Sequence, residues 1–220
     1  MDRPRVTLKL ATSLDGRIAT AAGESRWITG EAARAEVQKL RAAHDAVLVG
    51  IGTALADDPE LTARTDPPPL KQPLRVVLDR KLRLPAQSRL ATTVSKGGVV
   101  VISTGGWPTE RRALTDAGVE IGLAAPGAGE GEIAAALRVL TQLHGVSSVL
   151  VEGGGAVAAS FVREGLVDRL EWFRAPMALG AAGLPAIADI TFSSLAEAPR
   201  WRRVALRELG PDLWESYERG

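Results

Sequence analysis

The sequence predicts a single α/β domain built on a mixed, mostly parallel sheet with helices on both faces. Short apolar runs alternate with helical segments along most of the chain, the pattern of strands joined by crossover helices. Near the C-terminus two strand-like runs are separated only by Gly210-Pro211-Asp212, too short for a crossover, so they are expected to pair as an antiparallel edge hairpin. A chain of 220 residues, 45% hydrophobic and 24% charged, can bury one undivided core, and residues 1–220 are read as one domain.

Each element has its own signal. Val6, Leu8 and Leu10 alternate with Arg5, Thr7 and Lys9, which marks a half-buried first strand. Thr29 is placed to cap a helix with Glu31 in its first turn and Ala33, Val37, Leu40 and Arg41 at helical spacing. Residues 46–49, closed by Gly50, form a short apolar run that suits a buried strand, and 75–79 and 99–102 look alike. Helices are expected at 108–117 and 132–143, with a short strand at 119–121 and a glycine-rich turn at 125–131 between them. Strand 148–152, helix 156–164 and strand 169–174 follow, and the hairpin runs 202–209 and 213–219 close the chain. Pro67, Pro68 and Pro69 make 66–72 a stiff, exposed loop where order is expected to be weakest.

Composition removes several kinds of chemistry. Lys plus Arg is 27 and Asp plus Glu is 26, a net charge of +1, which argues against a general nucleic-acid binder. The chain has no cysteine and only His44 and His144 as imidazoles, so no metal site is expected. Both histidines lie where helices end and are read as structural. Without a GxSxG sequence a serine-hydrolase triad has little support. No apolar run of the roughly 20 residues that span a bilayer occurs, and 1–10 lacks a signal peptide's apolar stretch, so the expectation is a cytoplasmic protein with no membrane partner.

What remains are glycines at strand ends. Gly153-Gly154-Gly155 directly follows strand 148–152 and opens the next helix, a context that lets backbone N–H groups approach a phosphate. Gly153, Gly155 and Ala158 fit a GxGxxA pattern, although too little chain follows for a standard Rossmann domain; the alternative is a helix start that needs glycine only for close packing. Gly50-Ile51-Gly52-Thr53 is a second such turn. Arg41, Arg64 and Lys9 are candidate anchors for a substrate phosphate. Trp27 is read as a core or rim aromatic. A bound cofactor would carry the hard chemistry of such a protein.

The stretch Val6-Thr7-Leu8-Lys9-Leu10-Ala11-Thr12-Ser13-Leu14-Asp15-Gly16-Arg17 resembles the opening of the reductase domain of bacterial riboflavin-biosynthesis deaminase/reductases. The similarity continues through Gly23-Glu24-Ser25-Arg26-Trp27-Ile28-Thr29, Leu40-Arg41-Ala42, Gly52-Thr53-Ala54-Leu55-Ala56-Asp57-Asp58-Pro59, Leu61-Thr62-Ala63-Arg64, 73–79 and Val151-Glu152-Gly153-Gly154. Gly165-Leu166-Val167-Asp168 and Ala175-Pro176 with Leu179-Gly180 also fit, in the family's order, from about residue 5 to 180.

That resemblance implies a dihydrofolate-reductase-like fold, usually dimeric, in which NADPH converts the ribosyl side chain of a pyrimidine 5'-phosphate into a ribityl chain. Ala11, Trp27, Thr53, Asp57 and the helix start Gly154, Gly155, Ala156, Val157, Ala158, Ala159 and Ser160 match cofactor-contacting positions. Arg80 matches another, where it is a candidate for the 2'-phosphate; Arg75, Arg80 and Arg83 near one strand end point the same way. Ser25, Arg41, Leu61, Arg64 and Glu152 match substrate-holding positions, and the family's GGP turn is Gly153-Gly154-Gly155 here. Lys9 is the candidate acid for opening the ribose ring, and Glu152 the candidate to stabilise iminium charge. With no cysteine, the chain is expected to act as a stand-alone reductase that needs its deaminase elsewhere, and as a homodimer. Open alternatives are the undeaminated diaminopyrimidinone, a dihydropterin or dihydrofolate as substrate, or an NADPH-binding module without turnover.

Overall fold

The computed structural model describes residues 3–105, 108–188 and 190–220. In chain order the elements are β1 (Arg5–Thr12), β2 (Arg17–Ala19), α1 (Glu31–Ala42), β3 (Ala46–Gly50), α2 (Ile51–Asp57), β4 (Leu74–Leu78), α3 (Arg89–Thr92), β5 (Val99–Ser103), α4 (Pro108–Asp116), β6 (Glu120–Leu123), α5 (Glu132–His144), β7 (Ser148–Val151), α6 (Gly155–Arg163), β8 (Arg169–Arg174), β9 (Leu184–Pro185), β10 (Trp201–Leu209) and β11 (Asp212–Arg219). They gather into two compact units. One comprises Met1–Arg5 with Gln38–Leu150, and the other Val6–Val37 with Val151–Gly220.

The first unit carries a run of parallel strands. Its strands lie in the order β7-β3-β4-β5-β6, and β3–β4, β4–β5 and β5–β6 all pair parallel. Every residue of β3 and β5 is buried, which explains why those runs are apolar throughout rather than alternating. Val47, Val49, Val77, Val99, Val101 and Leu150 meet Leu61, Leu82, Leu90 and Leu114 in one core. Each such side chain contributes about 1.5–3 kcal/mol on burial.

The second unit holds the antiparallel part, in the order β10-β11-β8-β1. β1 and β8 pair parallel, whereas β11 runs antiparallel to both β8 and β10. The C-terminal hairpin expected from the sequence is present, with Leu209 opposite Asp212 and β10 at the edge. β2 and β9 form a separate two-stranded pair. Both strands are too short to leave a period-two signal, so the sequence does not announce them.

Three readings need correction. Thr29 does not cap α1: the first helical bond runs from Arg34 N–H to the Gly30 carbonyl at 3.1 Å, which puts Gly30 at the cap, and Gly30 N–H donates to Asp212 Oδ2 at 2.6 Å. Gly50-Ile51-Gly52-Thr53 is not a turn: Gly50 ends β3 in an extended conformation and α2 begins at once. Arg75 is not near Arg80 and Arg83. It lies at the opposite end of β4, fully buried, and its guanidinium donates to Glu60 O at 3.1 Å, Thr93 Oγ1 at 2.8 Å, Thr93 O at 2.7 Å and Gly97 O. The 66–72 loop is mostly exposed as expected, but Gln72 fastens its end to Ala63 by two bonds, of 2.8 and 2.9 Å.

Arg75 therefore serves folding. Arg75→Met should lower stability by about 3 kcal/mol or more, because it strands several buried carbonyls that cost about 1–3 kcal/mol each. Chemical denaturation checks this; an unchanged midpoint would mean that water replaces the guanidinium at no cost.

Candidate active site

The residues singled out by sequence fall into two sets, one in each unit. In the second unit Lys9 and Ala11 share a face of β1, because side chains two apart on a strand point the same way. The parallel register places Lys9 beside Glu171 and Ala11 beside Phe173. The Lys9 ammonium stands 5.9 Å from the centre of the Phe173 ring, and that ring stacks on Trp214 at 5.2 Å. Strand β1 is fixed at both ends: Val6 N–H donates to Asp168 Oδ2 at 2.8 Å, and Trp172 Nε1 donates to Thr12 Oγ1 at 2.8 Å. Just beyond it, Asp15 accepts from Ser13 Oγ at 2.5 Å and from the N–H groups of Leu179 and Gly180 at 3.1 and 2.7 Å. The Ser13 hydroxyl, followed by the two amides, holds the Asp15 carboxyl down at about 2.

Glu152 is half-buried between the end of β7 and Gly153. Gly154 then caps α6 with φ +71°, the left-handed side that favours glycine, and as a glycine it makes no side-chain cap bond of its own. The neighbouring Gly155 has a different reason. A Cβ there would run into the Pro185 carbonyl, and Ala188 N–H donates to Gly155 O at 3.1 Å. Close packing explains Gly155, while Gly154 leaves a donor-bearing helix start. Along α6, Ala158 and Ala159 are buried, Ala156 is exposed, and Val157 and Ser160 are half-buried. Trp27 is 66% exposed, so it is no core residue; the Arg34 guanidinium lies 4.5 Å from its ring centre and also donates to Thr29 O at 2.9 Å. Ser25 is half-buried in the loop before it.

In the first unit Thr53 and Asp57 stand one turn apart on α2, both half-buried. The 61–64 segment is laced to the end of α1. Arg41 Nη1 donates to Thr62 O at 3.1 Å, and Arg64 N–H donates to Gln38 Oε1 at 2.9 Å. Gln38 and Arg41 share a helix face at i,i+3 spacing. The lacing holds Leu61 at φ +57° while 3% exposed, a backbone state that a non-glycine residue adopts only under constraint. Arg64 itself is exposed. Arg80 forms a close ion pair with Glu132, and Arg83 lies 3.7 Å from Asp79.

Sequence reasoning missed Gln38, Gln72, Glu171, Trp214 and Ser216. Only Gln38 carried a signal, its spacing from Arg41. Among the described residues no cluster of metal-ligating side chains occurs, and no helix is long and apolar enough to cross a membrane.

The model of the RibD C-terminal domain family matches residues 4–214. The riboflavin biosynthesis protein RibD of Bacillus amyloliquefaciens is 37% identical over 211 residues, covering 96% of this chain and 56% of that protein. The solved structure of Acinetobacter baumannii RibD superposes with a TM-score of 0.87 at 32% identity, covering all of this chain and 59% of that one. A diaminohydroxyphosphoribosylaminopyrimidine deaminase/5-amino-6-(5-phosphoribosylamino)uracil reductase of Thermotoga maritima gives a TM-score of 0.80 at 30% identity, over 99% of this chain and 57% of that one. The chain thus spans somewhat over half the length of these relatives. Its mixed sheet, its ordered motif blocks and the near-complete match of the family model place it in the RibD C-terminal domain family.

Proposed function

We propose that residues 1–220 act as one pyrimidine reductase domain that uses NADPH to convert the ribosyl side chain of 5-amino-6-(5-phosphoribosylamino)uracil into the ribityl form. The family match supports the activity. The observation that favours the substrate assignment is the lacing of 61–64 to α1, through which Arg41 on the helix holds Thr62 O and Gln38 holds the backbone N–H of the exposed Arg64. Two guanidinium groups so placed suit a phosphate ester and are needless for a dihydropterin or dihydrofolate.

The residues present fit NADPH. The N–H groups at the start of α6, with Gly154 in a conformation open to close backbone approach, suit its pyrophosphate. Ala11, Trp27, Thr53, Asp57 and the exposed parts of α6 at Ala156, Val157 and Ser160 would complete the contacts. Arg80 would need to leave Glu132 to meet a 2'-phosphate. When bound, NADPH supplies a hydride.

The chain's own residues prepare the substrate. Lys9 donates a proton to the ribose ring oxygen as the C1'–O bond breaks, leaving an iminium between C1' and the exocyclic nitrogen and a free 4'-hydroxyl. Glu152 stabilises the positive charge at C1' and accepts hydrogen bonds from the pyrimidine's N–H groups. Reduction of C1' then neutralises the iminium, and the product is a secondary amine bearing a ribityl chain. Ser25 and Leu61 complete the substrate contacts. The same reading makes the working form a cytoplasmic homodimer, with deamination left to a separate deaminase activity and no nucleic-acid or membrane partner.

Three measurements test this. NADPH oxidation followed side by side with the deaminated pyrimidine, the diaminopyrimidinone and dihydrofolate should show kcat/KM at least about tenfold higher for the first. Faster turnover of either rival would move the substrate assignment to it, and binding of NADPH with no turnover of any would leave a silent binding module. Arg64→Ala should raise the KM for the pyrimidine phosphate roughly 10- to 150-fold, the worth of one charge-assisted bond, with the Kd for NADPH unchanged. Weakened NADPH binding at constant substrate KM would reverse the map. Glu152→Gln keeps shape and removes charge, so kcat should fall roughly 10²-fold with little change in Tm; normal turnover with a lowered Tm would make Glu152 a structural residue.

A further inference from the structure

Lys9 is the one lysine within Val6–Val37 and Val151–Gly220; Lys39, Lys71, Lys81 and Lys96 all belong to the other unit. Every other cationic side chain around it is arginine, a group that does not give up its proton near neutrality. In the parallel ladder Lys9 is the register partner of Glu171. Side chains at such positions rise from the same face of adjacent strands, about 5 Å apart at their bases.

Glu171 is only 2% exposed, and donors fix both of its oxygens. Oε1 accepts from Arg169 Nε, while Oε2 accepts from Trp214 Nε1 at 2.6 Å and from Ser216 Oγ at 2.5 Å. Arg169 also meets Glu218 at 3.1 Å, and the Arg207 guanidinium of β10 stands 5.1 Å from the Trp214 ring, so Glu171 is the carboxylate that β8 sets at the register position of Lys9. Glu218 approaches the well-exposed Arg202 at 3.7 Å, where water screens the pair, and Asp212 is engaged by Gly30 N–H at 2.6 Å. Trp214, which orients the carboxylate, also stacks on Phe173, the ring beside the Lys9 ammonium. A buried carboxylate is a costly way to join β8 to β11, since an apolar pair would serve for packing alone.

We propose that Glu171 is a positioning residue that acts through Lys9: its immobilised carboxylate keeps the Lys9 amine in the ammonium form and on the face of β1 that carries Ala11. The inference rests on the reading of Lys9 as proton donor given above. An amine beside an aromatic wall loses hydration and with it some of its hold on a proton; a fixed negative charge one register position away restores that hold. Ser216 and Trp214 keep the charge in place, and Arg169 moderates it.

The test reads the amine directly, without substrate or cofactor. The folded protein is acetylated with trace acetic anhydride across a pH series, and labelling of each lysine is followed by mass spectrometry, with the exposed Lys71 and Lys81 as references. In the unmodified protein Lys9 should reach half-maximal reactivity at a pH no lower than that of either reference. Glu171→Gln should then speed Lys9 labelling roughly five- to tenfold at a fixed pH below that midpoint, about what a shift of up to one pH unit gives, and leave the references unchanged. Arg169→Gln should slow it, since it removes the compensating cation. Should Glu171→Gln not fold, the unmodified protein and Arg169→Gln still decide. A Lys9 midpoint below those of the references, unchanged Lys9 labelling in folded Glu171→Gln, or faster labelling in Arg169→Gln would overturn the proposal and leave Glu171 as a joint between strands. Failure here is separate from failure of the NADPH assay, which alone tests the reductase reading.

Discussion

Arg75 enters the interior at the start of β4 with its guanidinium withdrawn from water, and the backbone of three separate segments bends to meet it. Glu60 ends the approach from α2, Thr93 follows α3, and Gly97 precedes β5; each gives up an oxygen to the same cation. A buried charge left without partners is far costlier than the chain can tolerate, so these loops have little freedom. Glu60 extends the effect outward, since its carboxylate also meets Lys96 and Arg89, each at 3.0 Å, and the Lys96 ammonium draws its pKa down. The segment that follows, 61–64, inherits a fixed starting point, and the left-handed Leu61 is held within it. The strain at Leu61 is thus supported from one side by the Arg75 network and from the other by Arg41 and Gln38 on α1.

The second unit uses the opposite charge to the same end. Glu171 is buried between β1 and β11 and is met by an arginine, an indole and a hydroxyl. On the other face of the same hairpin, Glu215 is met by Arg174 at 2.7 Å, Arg203 at 3.3 Å and the Tyr217 hydroxyl at 3.0 Å. The neighbouring carboxylate, together with burial, raises the Tyr217 pKa, with burial the larger cause. Two carboxylates on opposite faces, each tied across strands, fix the register of β8 against β11, which a uniformly apolar pair would fix less sharply.

The glycines at the start of α6 show how adjacent identical residues can answer to different constraints. Gly154 needs its positive φ, whereas Gly155 needs the absence of a Cβ because the 185–188 segment passes against it. The two readings of this motif, close packing and anion approach, turn out to belong to different residues.

Local chemistry was legible in the sequence. The alternation in β1, the solid apolar runs of β3 and β5, the helical spacing of α5 and the short link of the C-terminal hairpin each report a constraint felt within a few residues. The ordered motif blocks likewise carried the family. What sequence could not determine were partnerships between residues far apart in the chain. Asp168 reaches Val6 across 162 positions and Asp212 reaches Gly30 across 182. Sequence groups Arg75 with Arg80 and Arg83 near one strand end because nothing in its neighbours marks a buried arginine; only the loops folded around it do so. Glu171 gave no sign for the same reason. Whether a charge is buried, and which donors meet it, depends on desolvation and on geometry that exists only once the strands have assembled.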